Sequence, residues 1–171
     1  SDTLFTLLEP SKTGIDFKNE VKNGENMNIF KYRNFYNGGG VAIGDINNDG
    51  LADVFLISNQ GANKLYLNKG DFKFEDISLQ SGIQGKKAWS TGVVMVDING
   101  DGFLDIYVLD AGSNIDAIRK SQLYINNKNN TFTEKAAEYN LADTGITTHA
   151  AFFDYDKDGD LDLFISGLTS S

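Results

Sequence analysis

The stretch Gly40-VAIGDINNDGLADVFLIS-Asn59 decides the fold, because it returns twice without a gap. The second copy is Gly92-VVMVDINGDGFLDIYVLD-Ala111 and the third is His149-AAFFDYDKDGDLDLFISG-Leu168. Each copy has two apolar runs of strand length around a loop of Asp, Asn and Gly. In the first copy the runs are Val41 to Gly44 and Asp53 to Ser58, rich in Val, Ile and Phe, the residues that suit a pleated surface. The leading acids, Asp45, Asp97 and Asp154, are 52 and 57 residues apart. Self-similarity at that period is the signature of a repeat architecture.

Working outward, a second block follows the first two copies. Leu65-YLNKGDFKFEDIS-Leu79 corresponds to Leu123-YINNKNNTFTEKA-Ala137, at a spacing of 58 residues, so copy two carries six extra residues in the loop after Asp110. Loops absorb such insertions and strands do not. Leu65 to Asn68 and Phe72 to Ile77 read as two further strands, turned at Lys69-Gly70-Asp71. Four strands per unit of about 55 residues is the size of one propeller blade. The fold expected is all-β, built of propeller blades of four antiparallel strands, with the acidic loops between first and second strands. The organisation expected is an N-terminal segment 1–36, a first blade 37–84, a second 85–142, and the first half of a third 143–171. Phe5-TLLEPSKTG-Ile15 resembles the end of a unit, Phe74-EDISLQSG-Ile83, and predicts an outer strand at Phe5 to Leu8. Two and a half blades cannot close a ring of roughly four to eight. A fragment of a larger protein is therefore the favoured reading, with the missing blades supplied by C-terminal sequence. The chain starts at Ser1 rather than Met, which suggests a processed or engineered start.

Each loop follows D-x-[DN]-x-D-G-x-x-D. The side-chain oxygens come from Asp45, Asn47, Asp49 and Asp53; from Asp97, Asn99, Asp101 and Asp105; and from Asp154, Asp156, Asp158 and Asp162. Calcium takes about six to eight oxygen ligands. Donors at positions 1, 3 and 5 of a curling loop converge on one point, the Gly at position 6 permits the sharp turn, and the carboxylate at position 9 closes the shell. The backbone carbonyls of Leu51, Phe103 and Asp160 at position 7 complete the donor set. An EF-hand needs a bidentate Glu at position 12, but Leu56, Val108 and Ile165 stand there, inside strand patterns. Plain hairpin turns explain the Gly and one or two acids. They do not explain three to five carboxylates in nine residues, three times in register, which without a cation repel one another. Three Ca²⁺ sites are expected, with protein oxygens so numerous that magnesium, which keeps several waters, fits less well. Three such ions would take the formal charge from −9 to about −3.

Composition narrows the function. A net charge of −9 argues against a nucleic-acid partner. There is no cysteine, so disulfides, thiolate catalysis and Cys-ligated zinc are excluded. No apolar run approaches the ~18 residues of a membrane span. One histidine, no G-x-S-x-G and no phosphate-cradling loop leave no catalytic constellation, so no enzyme is expected. His149 stands where Gly40 and Gly92 stand in the other copies and reads as strand filler. Gly38-Gly39-Gly40 precedes a strand, so it reads as a flexible approach to the first blade.

At these loops the sequence resembles the FG-GAP/VCBS repeat family, whose blades also build the integrin α-chain propeller. Thr13-GIDFKN-Glu20, Tyr36-NGGGVAIGDINNDGLAD-Val54, Lys64-LYLNKG-Asp71 and Trp89-STGVVMVDINGDGFLDIYV-Leu109 look like the N-terminal half of bacterial ASPIC/UnbV-type repeat proteins. The resemblance implies a calcium-stapled propeller, secreted or at the cell surface, with a binding or scaffolding role. Expected partners are a protein or a surface glycan. Trp89, Tyr36 and the insertion Gly112 to Lys120 are candidate contacts, although Trp89 and Tyr36 also fit a packing role. The alternative is a polysaccharide-binding or carbohydrate-active component of a bacterial surface complex. Calcium sites of millimolar affinity fill only outside the cytosol, so the placement expected is extracellular or on a bacterial outer membrane, with a possible lipid anchor upstream.

Overall fold

The structure is a computed structural model and describes residues 4–25, 27–83, 89–111 and 120–168. Three antiparallel sheets follow one another along the chain. The first blade is β1 (Val41–Gly44), β2 (Asp53–Leu56), β3 (Lys64–Asn68) and β4 (Phe74–Asp76), in spatial order 1-2-3-4. The second repeats it with β5 (Ser90–Val96), β6 (Asp105–Asp110), β7 (Gln122–Asn126) and β8 (Phe132–Glu134). A third sheet pairs β9 (Ile146–Phe153) with β10 (Asp162–Leu168). The all-β architecture of propeller blades read from the repeat is the one observed.

Strand alternation explains how blades stack. Ile106 and Val108 of β6 join Phe55, Ile57, Leu65 and Leu67 in a core between blades one and two. Their neighbours Tyr107 and Leu109 point the other way, into a core with Ala150, Phe152 and Leu163 of the third sheet. All six residues of β6 are buried, as a strand covered on both faces must be. The first strands lie side by side: the Thr91 hydroxyl donates to the Thr147 carbonyl at 2.7 Å, linking β5 to β9. This approach needs Gly92, where an added Cβ would sit 2.4 Å from the Thr148 carbonyl oxygen. His149, at the position matching Gly92, is exposed and lines the cleft described below.

Strand direction sorts the connections onto two faces. The acidic loops join β1 to β2, β5 to β6 and β9 to β10 at one face. The β2–β3 connection, the start of β5 and the N-terminal segment meet at the other. There Asn19 bonds Ser58 and Asn59, Lys22 and Gln60 bond each other, and the Asn59 amide donates to Gly38 and Ser90 carbonyls. Trp89 is buried, 5.0 Å from the Phe35 ring and 5.8 Å from Tyr32. It therefore packs the segment down and is not an exposed contact, whereas Tyr36 is 61% exposed.

The expected outer strand at Phe5 to Leu8 is not formed. Residues 4–9 have no regular structure, and the chain enters a single helical turn, α1 (Pro10–Thr13), closed by Gly14 at φ 80. A strand needs a ladder partner, and among the described residues none runs beside this segment, which leaves Leu4, Phe5 and Leu7 exposed.

Asp110 ends β6 fully buried, accepting from the Ser90 hydroxyl at 2.8 Å and the Gln122 amide at 3.1 Å. Burial pushes its carboxyl up to about 6, against an ordinary 3.8. The folded protein thus holds a proton that the unfolded chain releases first, so this group's contribution to stability is greatest below pH 4 and is lost as pH rises through 6. Asp110→Asn is expected to raise stability at pH 7 by about 1 kcal/mol, with the gain vanishing near pH 4, measured by urea unfolding across pH. Gly92→Ala is expected to cost about 2 kcal/mol or more, since backbone must move. Gly44→Ala, where the new Cβ meets the flexible ends of Leu104 and Met95, is expected to cost about 1 kcal/mol or less in the same assay.

Candidate metal centres

The three loops share one backbone. Position 6 is glycine with positive φ in each: Gly50 at 84, Gly102 at 86 and Gly159 at 97. Position 4 also has positive φ, in Asn48 (59), Gly100 (69) and Lys157 (63). That second left-handed residue was not read from the sequence, because only Gly100 and Asn48 are residue types that announce it.

Hydrogen bonds wind each loop around its first acid. Asp49 N–H and Gly50 N–H donate to the two oxygens of Asp45 at 3.1 and 2.7 Å. Asp101 and Gly102 do the same to Asp97 at 2.9 and 2.8 Å, and Gly159 donates to Asp154 at 3.2 Å. At position 7, the N–H groups of Leu51, Phe103 and Asp160 donate to the acids at position 5, Asp49, Asp101 and Asp158. Asn47 and Asn99 donate from their amide nitrogens to those same acids in loops 1 and 2. Their Oδ1 atoms accept from the position 5 N–H.

Position 9 is different in kind. Asp53 and Asp105 are fully buried. Asp53 accepts from Ile46 N–H at 3.0 Å and from Asn68 N–H at 2.7 Å. Asp105 accepts from Ile98 N–H at 3.2 Å and Asn126 N–H at 2.7 Å. One carboxylate thus ties the loop, the start of the second strand and the end of the third. Desolvation raises both acids, Asp105 to about 6, and the neighbouring loop carboxylates add to the rise. In loop 3, Asp162 accepts from Tyr155 N–H at 2.8 Å and stays partly exposed.

Among the described residues, one group of three carboxylates has its oxygens within 4.8 Å of one another: Asp154, Asp156 and Asp162. Loops 1 and 2 place an asparagine amide where loop 3 has Asp156, and do not crowd three carboxylates as closely. Crowding shows in Asp160, whose carboxyl is raised by its hydrogen bond to Asp158 and by the charges of Asp158, Asp162 and Asp156. The one ion pair to these loops among the described residues is Lys128 with Asp101, at 3.4 Å. The donor set is oxygen only, which fits a hard divalent cation and not a soft one.

The sequence pattern of the FG-GAP-like repeat matches residues 45–108 and 112–165, the first match starting at loop 1 and each ending in the second strand of a unit, β6 or β10. The chain belongs to the FG-GAP-like repeat family. It is 31% identical over 137 residues to cartilage acidic protein 1 of Xenopus tropicalis, covering 79% of this chain and 20% of the relative. The human protein of that name is 36% identical over 72 residues, covering 42% of this chain and 11% of the relative. The mouse protein is 33% identical over 69 residues, covering 40% and 11%. The chain therefore spans a fifth or less of the curated relatives it matches.

On the opposite face, Tyr32, Gly38–Gly40, Thr91–Val94 and Thr148–Ala150 line a cleft of about 540 Å³ between the first strands. Repeat reading did not reveal it, since it exists only where three units meet. Of the insertion Gly112 to Lys120, residues 112–119 lie outside the described residues.

Lys157 holds a left-handed backbone that costs a non-glycine residue about 1–2 kcal/mol. Lys157→Gly is expected to gain about 0.5–1 kcal/mol after the glycine's own entropy cost. A raised denaturant midpoint with unchanged slope would check this.

Proposed function

We propose that each loop binds one Ca²⁺ and that the chain is part of an extracellular propeller whose role is binding rather than catalysis. The observation that carries the metal reading is the pre-wound loop repeated three times, with Asp154, Asp156 and Asp162 drawn within 4.8 Å. Like charges that close oppose folding unless a cation neutralises them. Asp45, Asn47, Asp49 and Asp53, with the Leu51 carbonyl, would hold the first ion. Asp97, Asn99, Asp101 and Asp105, with the Phe103 carbonyl, would hold the second. Asp154, Asp156, Asp158 and Asp162, with the Asp160 carbonyl, would hold the third. The bound ion supplies positive charge that joins first strand to second.

Membership of the FG-GAP-like family supports a binding module, and relatives named for cartilage, a matrix tissue, support an extracellular setting. Among the described residues no helix is long and apolar enough to cross a membrane. The ligand-contacting surface is placed on the face opposite the metal loops, around the cleft and Tyr36, where loops are free to vary.

Calcium at about 10 mM is expected to stabilise the chain by roughly 1.5–3 kcal/mol per site, for affinities of 10⁻⁴–10⁻³ M. Thermal unfolding in calcium, magnesium and chelator reads this. The largest rise belongs to calcium, and Asp154→Asn with Asp158→Asn removes about one third of it. A melting curve identical in calcium and chelator would sink the reading.

A further inference from the structure

The two complete blades are joined at the metal face by contacts that run between the loops themselves. Asn126, at the end of β7, is almost wholly buried, and its backbone N–H and both polar atoms of its side chain are hydrogen-bonded. Its N–H donates to Asp105 Oδ1 at 2.7 Å, the position 9 acid of loop 2. Its side-chain amide donates to the Leu104 carbonyl at 3.0 Å and, across the blade boundary, to the Ile46 carbonyl at 2.8 Å. Its Oδ1 accepts from Lys128 N–H at 2.8 Å, so the amide cannot rotate without losing bonds. Ile46 is position 2 of loop 1, and its own N–H donates to Asp53 Oδ2 at 3.0 Å. A path thus runs from the position 9 carboxylate of loop 1, through the Ile46 N–H and carbonyl, to the side-chain amide of Asn126, and from that residue's backbone N–H to the position 9 carboxylate of loop 2. A second link lies alongside it. The Asn48 amide donates to the Gly102 carbonyl at 2.9 Å, from position 4 of loop 1 to position 6 of loop 2.

Among the described residues the Asn48 link is not repeated between loops 2 and 3. Position 4 of loop 2 is Gly100, which has no amide to extend, and no hydrogen bond found among the described residues joins the two loops. Asn68 occupies in blade one the place of Asn126, donating to Asp53 Oδ1 and to the Ala52 carbonyl.

We infer that loops 1 and 2 bind calcium as a coupled pair, with Asn126 and Asn48 as the positioning residues that carry the coupling. The inference rests on the calcium reading above. With Asp53 held at an occupied loop 1, its bond from Ile46 N–H would fix that residue, and the Ile46 carbonyl would hold the side chain of Asn126, whose backbone N–H meets Asp105. Filling one loop thereby orders donors of the other, which is positive coupling through ordering.

The test follows the amide resonances of Gly50, Gly102 and Gly159, one in each loop, through a calcium titration of the full chain. Asp45→Asn disables loop 1. The expected result is that the Gly102 midpoint rises about fivefold while that of Gly159 changes little. In the Asn48→Gly and Asn126→Ala backgrounds, the same Asp45→Asn change is expected to shift Gly102 less. Asn48→Gly secures the test should Asn126→Ala unfold blade two, because Gly100 already occupies that backbone in loop 2. A Gly102 midpoint indifferent to Asp45→Asn, or shifted no more than Gly159, overturns the coupling and leaves calcium binding standing. No response at any of the three glycines overturns both.

Discussion

A carboxylate with no exposure to solvent accepts two backbone N–H groups at the root of each complete blade, and the blade's geometry depends on it. Asp53 and Asp105 each receive one bond from the loop that ends the first strand and one from the residue that ends the third. Charge-assisted bonds of this type contribute about 1.5–3 kcal/mol each when made, and leaving such a group unpaired costs more. Three strands are thereby held at one end by one side chain. The same site is electrostatically uneasy, since burial and neighbouring acids both press the carboxyl towards its neutral form. A divalent cation in the loop would relieve that pressure at its source, so the stability of the blade and the occupancy of the loop belong to one balance.

That constraint also divides the molecule into two working faces. The metal loops and the strand-ending asparagines occupy one, where the backbone is wound tightly and bonded repeatedly. The other gathers the N-terminal segment around Asn19, Tyr32, Phe35 and Trp89, and opens as a cleft between first strands. Stiffness at one end of each blade leaves the other end free to vary in loop length, as the six extra residues of the second copy do. Binding surfaces presented by variable loops on a rigid scaffold follow this division of labour.

Much was legible without coordinates because its causes are local. Alternating Val, Ile and Phe specify strands, Gly at position 6 specifies a turn, and acids at positions 1, 5 and 9 with Asn or Asp at position 3 specify an oxygen-lined loop. All of these act within about ten residues of chain. Trp89 shows where that reasoning ends: its sequence context suited either an exposed contact or a packed ring, and only its placement against Phe35 and Tyr32 decided the matter. The segment at Phe5 to Leu8 had strand-like residues but no ladder beside it, and a strand is a property of two segments rather than one.

The repeat itself therefore determined the strands, their order, the loop chemistry and the all-β class, since each follows from residues that are neighbours in the chain. Tertiary structure alone decided which of two similar faces each strand buries. It decided that Asn126 reaches Ile46 across 80 residues, and that the amide of Asn48 meets Gly102 in the next unit. Those contacts depend on the rotation between adjacent blades, which is set by glycine-permitted approach and side-chain packing and is written in no single stretch of sequence.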